Sequence, residues 1–177
     1  MSVSPEPGDI GLTTVRGTVG MDIGAGQMLF DRLMKTRVPD SLAWQYRHAF
    51  GLVDDGMIVE AEPGGARHVP LHYDNVLWLH LSTLTDLERQ LICAAALKYV
   101  GVPYSFLDYA ALAAHGLHIP SPGLRPFIAS TGHMICSQLV DRAYMDAGIQ
   151  LFADHRWPGD VIPAELAYLA WQLQPKG

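Results

Sequence analysis

A chain of 177 residues is one domain's worth, and a composition 49% hydrophobic and 17% charged supplies a real core and excludes intrinsic disorder. The formal net charge of -6, with Lys and Arg scattered rather than clustered, excludes nucleic acid as a partner. Cys93 and Cys136 are too few for a disulfide framework, and no stretch approaches the roughly 18 uninterrupted apolar residues of a transmembrane helix.

Residues 1–7 are polar and Pro-rich, so they read as a surface arm. They lack the basic region and apolar run of a signal peptide, and no export signal is expected. Asp9 to Thr14 reads as a short strand after the Pro7-Gly8 turn signal. Met28, Leu29, Leu33 and Met34 fall at helical spacing within 26–35, and Pro39 ends any continuation. Trp44 to Val53 is strand-like, Asp54-Asp55-Gly56 is a turn signal, and Met57 to Ala61 is a second strand; together they predict a β-hairpin. Further strands are expected at Ala66–Val69 and Val76–Leu81.

Thr85-Asp86-Leu87-Glu88 is a capping box that opens a helix. Leu87, Leu91, Ala94 and Ala95 are its expected apolar face, and Gly101 its stop. Cys93 lies on that helix as a core residue. Phe106 to Ala114 reads as a short apolar helix. Residues 115–130 hold three prolines and two glycines, which makes them a long loop of the kind that often forms lids or binding loops. A helix is expected from Cys136, with Leu139, Val140, Ala143, Tyr144 and Ala147 as its apolar stripe and Gly148 as its stop. Trp157-Pro158-Gly159-Asp160 is a turn, and Pro163 opens a last helix through Leu169. The fold class is α+β, a single domain with a small, mostly antiparallel sheet packed against helices.

The chemically distinctive position is Cys136, in the first turn of its helix. Free backbone N–H groups and the helix dipole both favour thiolate there, and the thiolate is the nucleophile. Taken alone, Cys136 reads rather as a small buried hydrophobe, and His48 as a satisfied strand histidine. A thiol nucleophile needs a base and a group that orients the base. His48 sits in the first hairpin strand. With a three-residue loop over 54–56, Glu60 lies opposite Phe50 and becomes a diagonal, same-face neighbour of His48, while Glu62 lies directly opposite His48. A two-residue Asp55-Gly56 loop sends Glu60 to the other face. Hairpin arithmetic leaves Glu60 and Glu62 both open.

The order of Pro7-Gly8-Asp9-Ile10, then His48-Ala49-Phe50-Gly51-Leu52-Val53 with Val59-Glu60-Ala61-Glu62-Pro63, then Cys136-Ser137-Gln138-Leu139-Val140 with Ala147-Gly148-Ile149, resembles the permuted, YiiX-like NlpC/P60 group of papain-fold cysteine hydrolases. In that group the His strand precedes the Cys helix. Trp157 to Pro163 is similar to the family's closing segment. The resemblance implies a circularly permuted papain-like fold with Cys136 as nucleophile, His48 as general base and Glu60, ahead of Glu62, as the orienting group. It also implies a substrate-side role for Tyr104 in Gly101-Val102-Pro103-Tyr104-Ser105-Phe106, although Ser105 stands where the family commonly has an acid. His133, three residues before Cys136, is a further candidate for the substrate side.

The chemistry that the resemblance implies is acyl transfer without a cofactor or metal. The expected substrate is a peptide or amide bond in peptidoglycan stem peptides. An alternative is a lipid acyl hydrolase or acyltransferase, with the apolar 106–130 region as its lid. A third reading is a structural component of a phage tail or similar assembly. Charge below the usual share of about 25% is in keeping with a surface covered by a partner, and a virion could carry a cell-wall enzyme that has no signal of its own. His68, His72 and His80 do not complete a zinc pattern, and Gly20, Gly24 and Gly26 do not form a phosphate loop.

Overall fold

The structure is a computed structural model that describes residues 4–14, 45–62, 64–103, 135–156, 158 and 161–173. In chain order the described elements are β1 (Ile10–Thr13), β2 (His48–Asp54), β3 (Met57–Glu62), β4 (Gly65–Pro70), β5 (Leu77–Leu79), α1 (Asp86–Lys98), α2 (Cys136–Asp146) and α3 (Pro163–Leu173). The strands form one five-stranded antiparallel sheet in the order β4-β3-β2-β1-β5. The α+β expectation therefore holds. The expected helices at 26–35 and 106–114 and the loop at 115–130 lie outside the described residues.

Strand alternation gives the sheet two differently employed faces. Ile10, Leu12, Ala49, Val59, Ala61 and Leu79 pack in one core with Ile92 of α1, Leu139, Val140 and Tyr144 of α2, and Leu166 of α3. The other face carries a small cluster of Phe50, Leu52 and Ile58, covered by Val69, Leu71, Tyr73, Val76 and Trp78. Phe50 lies flat across its neighbour strand because Gly11 is there: a Cβ on Gly11 would sit 2.2 Å from Phe50 Cε2.

The hairpin resolves the register in a way that neither expected loop anticipates. The loop is the two-residue Asp55-Gly56, closed by Asp54 opposite Met57, and a bulge between Leu52 and Asp54 then shifts the ladder. Beyond the bulge Leu52 pairs with Ile58 and Phe50 with Glu60. The extra residue absorbed by the bulge cancels the face flip that a short loop imposes.

α1 begins at the expected capping box: Glu88 N–H donates to Thr85 Oγ1 at 3.3 Å, and Thr85 N–H donates to the Glu88 carboxylate at 2.8 Å. Of its expected apolar face only Ala95 is buried. Leu87 is 64% and Leu91 46% exposed, while Arg89, Ile92, Cys93, Ala95 and Ala96 are buried. The helix is turned by Arg89, which goes inward to the fully buried Asp9, Nη1 to Oδ1 at 2.8 Å. A paired guanidinium thus takes a place that apolar periodicity assigns to leucine.

Residues 4–7 are exposed, as a surface arm would be, yet they are tied down. Glu6 lies 3.3 Å from Arg89, and the Pro7 carbonyl accepts from Arg89 Nη1 at 3.2 Å. α2 starts at Cys136 as expected and stops before Gly148, whose φ of 84° suits a residue without a side chain. α3 runs on to Leu173, past the expected Leu169.

Candidate active site

His48 is the first residue of β2, and its side chain lies on the Phe50 face of the sheet. α2 packs through Leu139, Val140 and Tyr144 on the opposite face. A strand end is where groups from the two faces can meet, and here they do. The His48 imidazole is hydrogen-bonded to Glu60 and to Cys136. Nε2 lies 2.9 Å from Glu60 Oε2. An ionised carboxylate only accepts, so Nε2 carries the proton. His48 is 4% exposed, Glu60 0% and Cys136 1%. Cys136 is not disulfide-bonded.

Glu60 is bound from several directions. Arg67 of β4, opposite it in the ladder, reaches Oε1 through Nε at 2.9 Å and Nη2 at 2.7 Å. The Tyr73 hydroxyl donates to Oε2 at 2.6 Å. The same two donors also touch Glu62: Arg67 Nη2 lies 2.7 Å from Oε2, and the Tyr73 hydroxyl 3.2 Å from Oε1. Of the two carboxylates that the hairpin left open, Glu60 is hydrogen-bonded to His48, and Glu62 faces the Arg67–Tyr73 pair. The Tyr73 ring is stacked on Phe50, with centroids 5.1 Å apart and an interplanar angle of 18°, and lies 5.5 Å from the His48 ring.

The electrostatics follow from these bonds. Burial pushes the Glu60 carboxyl up, but the hydrogen bonds from His48, Tyr73 and Arg67 outweigh it and hold the group ionised, down at about 2. Burial likewise disfavours protonated His48, yet its bonds to Cys136 and Glu60 raise it to about 9. At neutral pH the imidazole therefore holds its second proton. The thiol of Cys93, by contrast, is pushed up by burial, and its sulfur lies 3.7 Å from the Leu52 carbonyl.

At the tip of α2, Ile135 is the N-cap and supplies no side-chain cap. The Ile135 N–H donates to Gln138 Oε1 at 3.2 Å, and Ser137 is anchored by its hydroxyl to the Val161 carbonyl at 2.7 Å. The helix start that presents Cys136 is thus held by its own first turn and by the segment before α3. The oriented N–H groups there are suited to stabilising negative charge.

Tyr104 and His133 lie outside the described residues. His80 Nδ1 is 2.9 Å from Asp9, His72 Nε2 is 3.8 Å from Glu60, and His68 projects from β4 on the side away from Arg67. These three histidines do not converge. His48, Glu60 and Glu62 place one ligand atom each within 4.8 Å of one another and could in principle hold a metal ion. The Arg67 guanidinium bridges both carboxylates and supplies positive charge where a cation would compete for the same oxygens. No helix among the described residues is long and apolar enough to cross a membrane.

Sequence reasoning missed Arg67 and Tyr73. A partial signal was present, since Arg67 falls on the strand that follows Glu60 and antiparallel pairing of β3 with β4 would set it opposite. Compared with known proteins, the chain matches no family model and no curated sequence.

Proposed function

We propose that the protein is a cysteine hydrolase that cleaves a peptide or amide bond through an acyl-enzyme, in a circularly permuted papain-like arrangement. The observation that carries this reading is the His48 imidazole, hydrogen-bonded to a buried ionised carboxylate and to a thiol at a helix N-terminus. A structural histidine has no need of a sulfur at a helix tip, whereas a thiol nucleophile needs each of these partners.

The Cys136 thiolate attacks the carbonyl carbon, forming a C–S bond and an oxyanion that the Cys136 N–H stabilises. The tetrahedral intermediate collapses, the C–N bond breaks, and the amine leaves with the proton of the His48 imidazolium. Water then attacks the thioester while His48 takes its proton, releasing the acid and restoring the thiolate. Glu60 keeps the imidazole oriented throughout. No step requires a cofactor. With Cys136 only 1% exposed, substrate access requires whatever covers the sulfur to move aside.

The resemblance of residue order to the permuted NlpC/P60 group supports a peptidoglycan stem peptide as substrate. The test is digestion of purified peptidoglycan and of synthetic stem peptides, with ester and phospholipid substrates as parallel arms. Cys136→Ala is expected to lose activity by roughly three orders of magnitude or more. In the unaltered protein, hydrolysis is expected to fall as pH rises through about 9, where His48 loses the proton it gives to the leaving group. Undiminished digestion by Cys136→Ala would remove the mechanism. Turnover of the lipid substrates alone would move the substrate class.

A further inference from the structure

Catalytic use of Glu60 demands more than charge. A carboxylate on a flexible side chain can turn, and an imidazole bonded to a turning partner is not held for attack. Glu60 offers Oε2 to His48, and the rest of its hydrogen-bonding capacity is taken by groups that do not touch the imidazole nitrogens. Arg67 places its Nε and Nη2 on Oε1, and the Tyr73 hydroxyl is on Oε2. Both donors are fixed in turn. Glu62 draws on the same Nη2 and the same hydroxyl from two residues further along β3. The Tyr73 ring cannot swing without breaking its stack on Phe50.

Resting on the thiol-hydrolase reading, we propose that Arg67 and Tyr73, anchored by Glu62, are positioning residues that lock the Glu60 carboxylate against His48 Nε2. The two donors differ in kind. Arg67 contributes charge and a planar fork, and its side chain is 46% exposed. Tyr73 is a neutral donor whose proton is held firmly, because burial and then the bond to Glu60 push its ionisation far up. Glu60, Glu62, Arg67, His72, Tyr73 and Cys136 are the titratable groups described around the imidazole. His72 is the outermost, at 3.8 Å from Glu60 and 45% exposed.

The experiment is an NMR titration of His48 in ring-labelled protein, paired with the rate of Cys136 alkylation by iodoacetamide in a Cys93→Ser background. In the unaltered protein the imidazole is expected to titrate near 9. Tyr73→Phe keeps the ring stack and removes only the hydroxyl. Arg67→Gln removes the fork, and Arg67→Lys restores charge without it. Tyr73→Phe, which changes no charge, is expected to lower the His48 midpoint by about one pH unit. Tyr73→Phe and Arg67→Gln are each expected to slow alkylation near pH 6 by roughly tenfold. Loss of the Arg67 cation by itself raises an imidazolium midpoint, so for that variant alkylation is the readout. Arg67→Lys is expected to recover only part of the loss.

A merely structural role would lower the melting temperature and leave both readouts in place. His48 titrating near 9 in every variant would overturn the positioning proposal and leave the hydrolase reading standing. Alkylation of Cys136 in the unaltered protein at the slow rate of an ordinary thiol, unchanged by His48→Ala, would overturn both. Should Arg67→Gln fail to fold, Tyr73→Phe decides alone.

Discussion

Among the described residues the same trio of groups occurs twice. Around Glu60 stand His48 and Arg67; around Asp9 stand His80 and Arg89. Both carboxylates are fully buried, and each imidazole sits 2.9 Å from its acid. The surroundings of the two trios differ. Arg89 also reaches the Pro7 and Leu81 carbonyls, Asp9 accepts the Glu6 N–H, and the Tyr144 hydroxyl of α2 donates to the adjoining Gly8 carbonyl. These bonds tie the segment before β1 to α1, α2 and the end of β5. Around Glu60 the imidazole continues to a thiol. A carboxylate, a guanidinium and an imidazole therefore do not by themselves indicate catalysis. What distinguishes the Glu60 trio is that its imidazole is also bonded to a thiol.

The largest expected effect separates the two trios by stability. Arg89→Met leaves Asp9 buried without its guanidinium, and breaking a buried pair in this way costs about 3–5 kcal/mol. Urea unfolding measures the loss. Among molecules still folded, Cys136 alkylation is expected to keep its rate, because Arg89 touches neither His48 nor Glu60. A matching fall in alkylation rate would mean that the two trios are coupled and cannot be divided into one that holds the fold and one that serves the thiol.

A third buried carboxyl sharpens the contrast by pointing the other way. Asp141 of α2 is 6% exposed and lies among charged neighbours. Burial pushes it up, Arg156 pulls it back, and Glu165 and Asp154 add repulsion, so it rests at about 7. The signs for stability follow from linkage. Asp141 binds its proton more tightly folded than unfolded, so its contribution falls as pH rises from 3.8 through about 7. Glu60 is depressed, so its contribution is present above 4.5 and is lost as pH falls toward about 2. Asp141→Asn mimics the protonated form and is expected to raise stability at pH 8 by about 2–4 kcal/mol, with little gain at pH 4. Glu60→Gln is expected to lower stability at pH 8. Denaturant titrations of both variants at the two pH values check the opposite signs.

The elements were legible where local chemistry decides them. The capping box at Thr85, the stop at Gly148 and the start of α2 at Cys136 are all written within a few residues of where they act. The Phe50–Glu60 register was reachable in outline, but it depends on a bulge at Val53 that no turn residue announces. The Arg67–Tyr73 contacts could not be read from local spacing. Arg67 joins Glu60 only through the pairing of β3 with β4, and Tyr73 only through a stack on Phe50 across the sheet. The rotation of α1 escapes periodicity for a related reason. Apolar periodicity ranks leucine above arginine for burial, and it has no means of knowing that Asp9, some eighty residues upstream, is waiting for a cation.

The rotation of α1 also yields the smallest expected effect. If periodicity had the phase of α1 right, Leu87 would be a core residue, and replacing it with a polar side chain would cost several kcal/mol. With Leu87 64% exposed and the helix turned by Arg89, Leu87→Gln exposes no new cavity and strands no partner. Its effect in urea unfolding is expected to stay within about 0.5 kcal/mol, the ordinary range for a surface substitution. Ile92→Ala, one turn further along and 4% exposed, is expected to cost about 2–5 kcal/mol. The ratio of the two losses measures the phase of the helix directly. Equal losses would place Leu87 in the core and would remove the Arg89–Asp9 bond as the element that sets the rotation of α1.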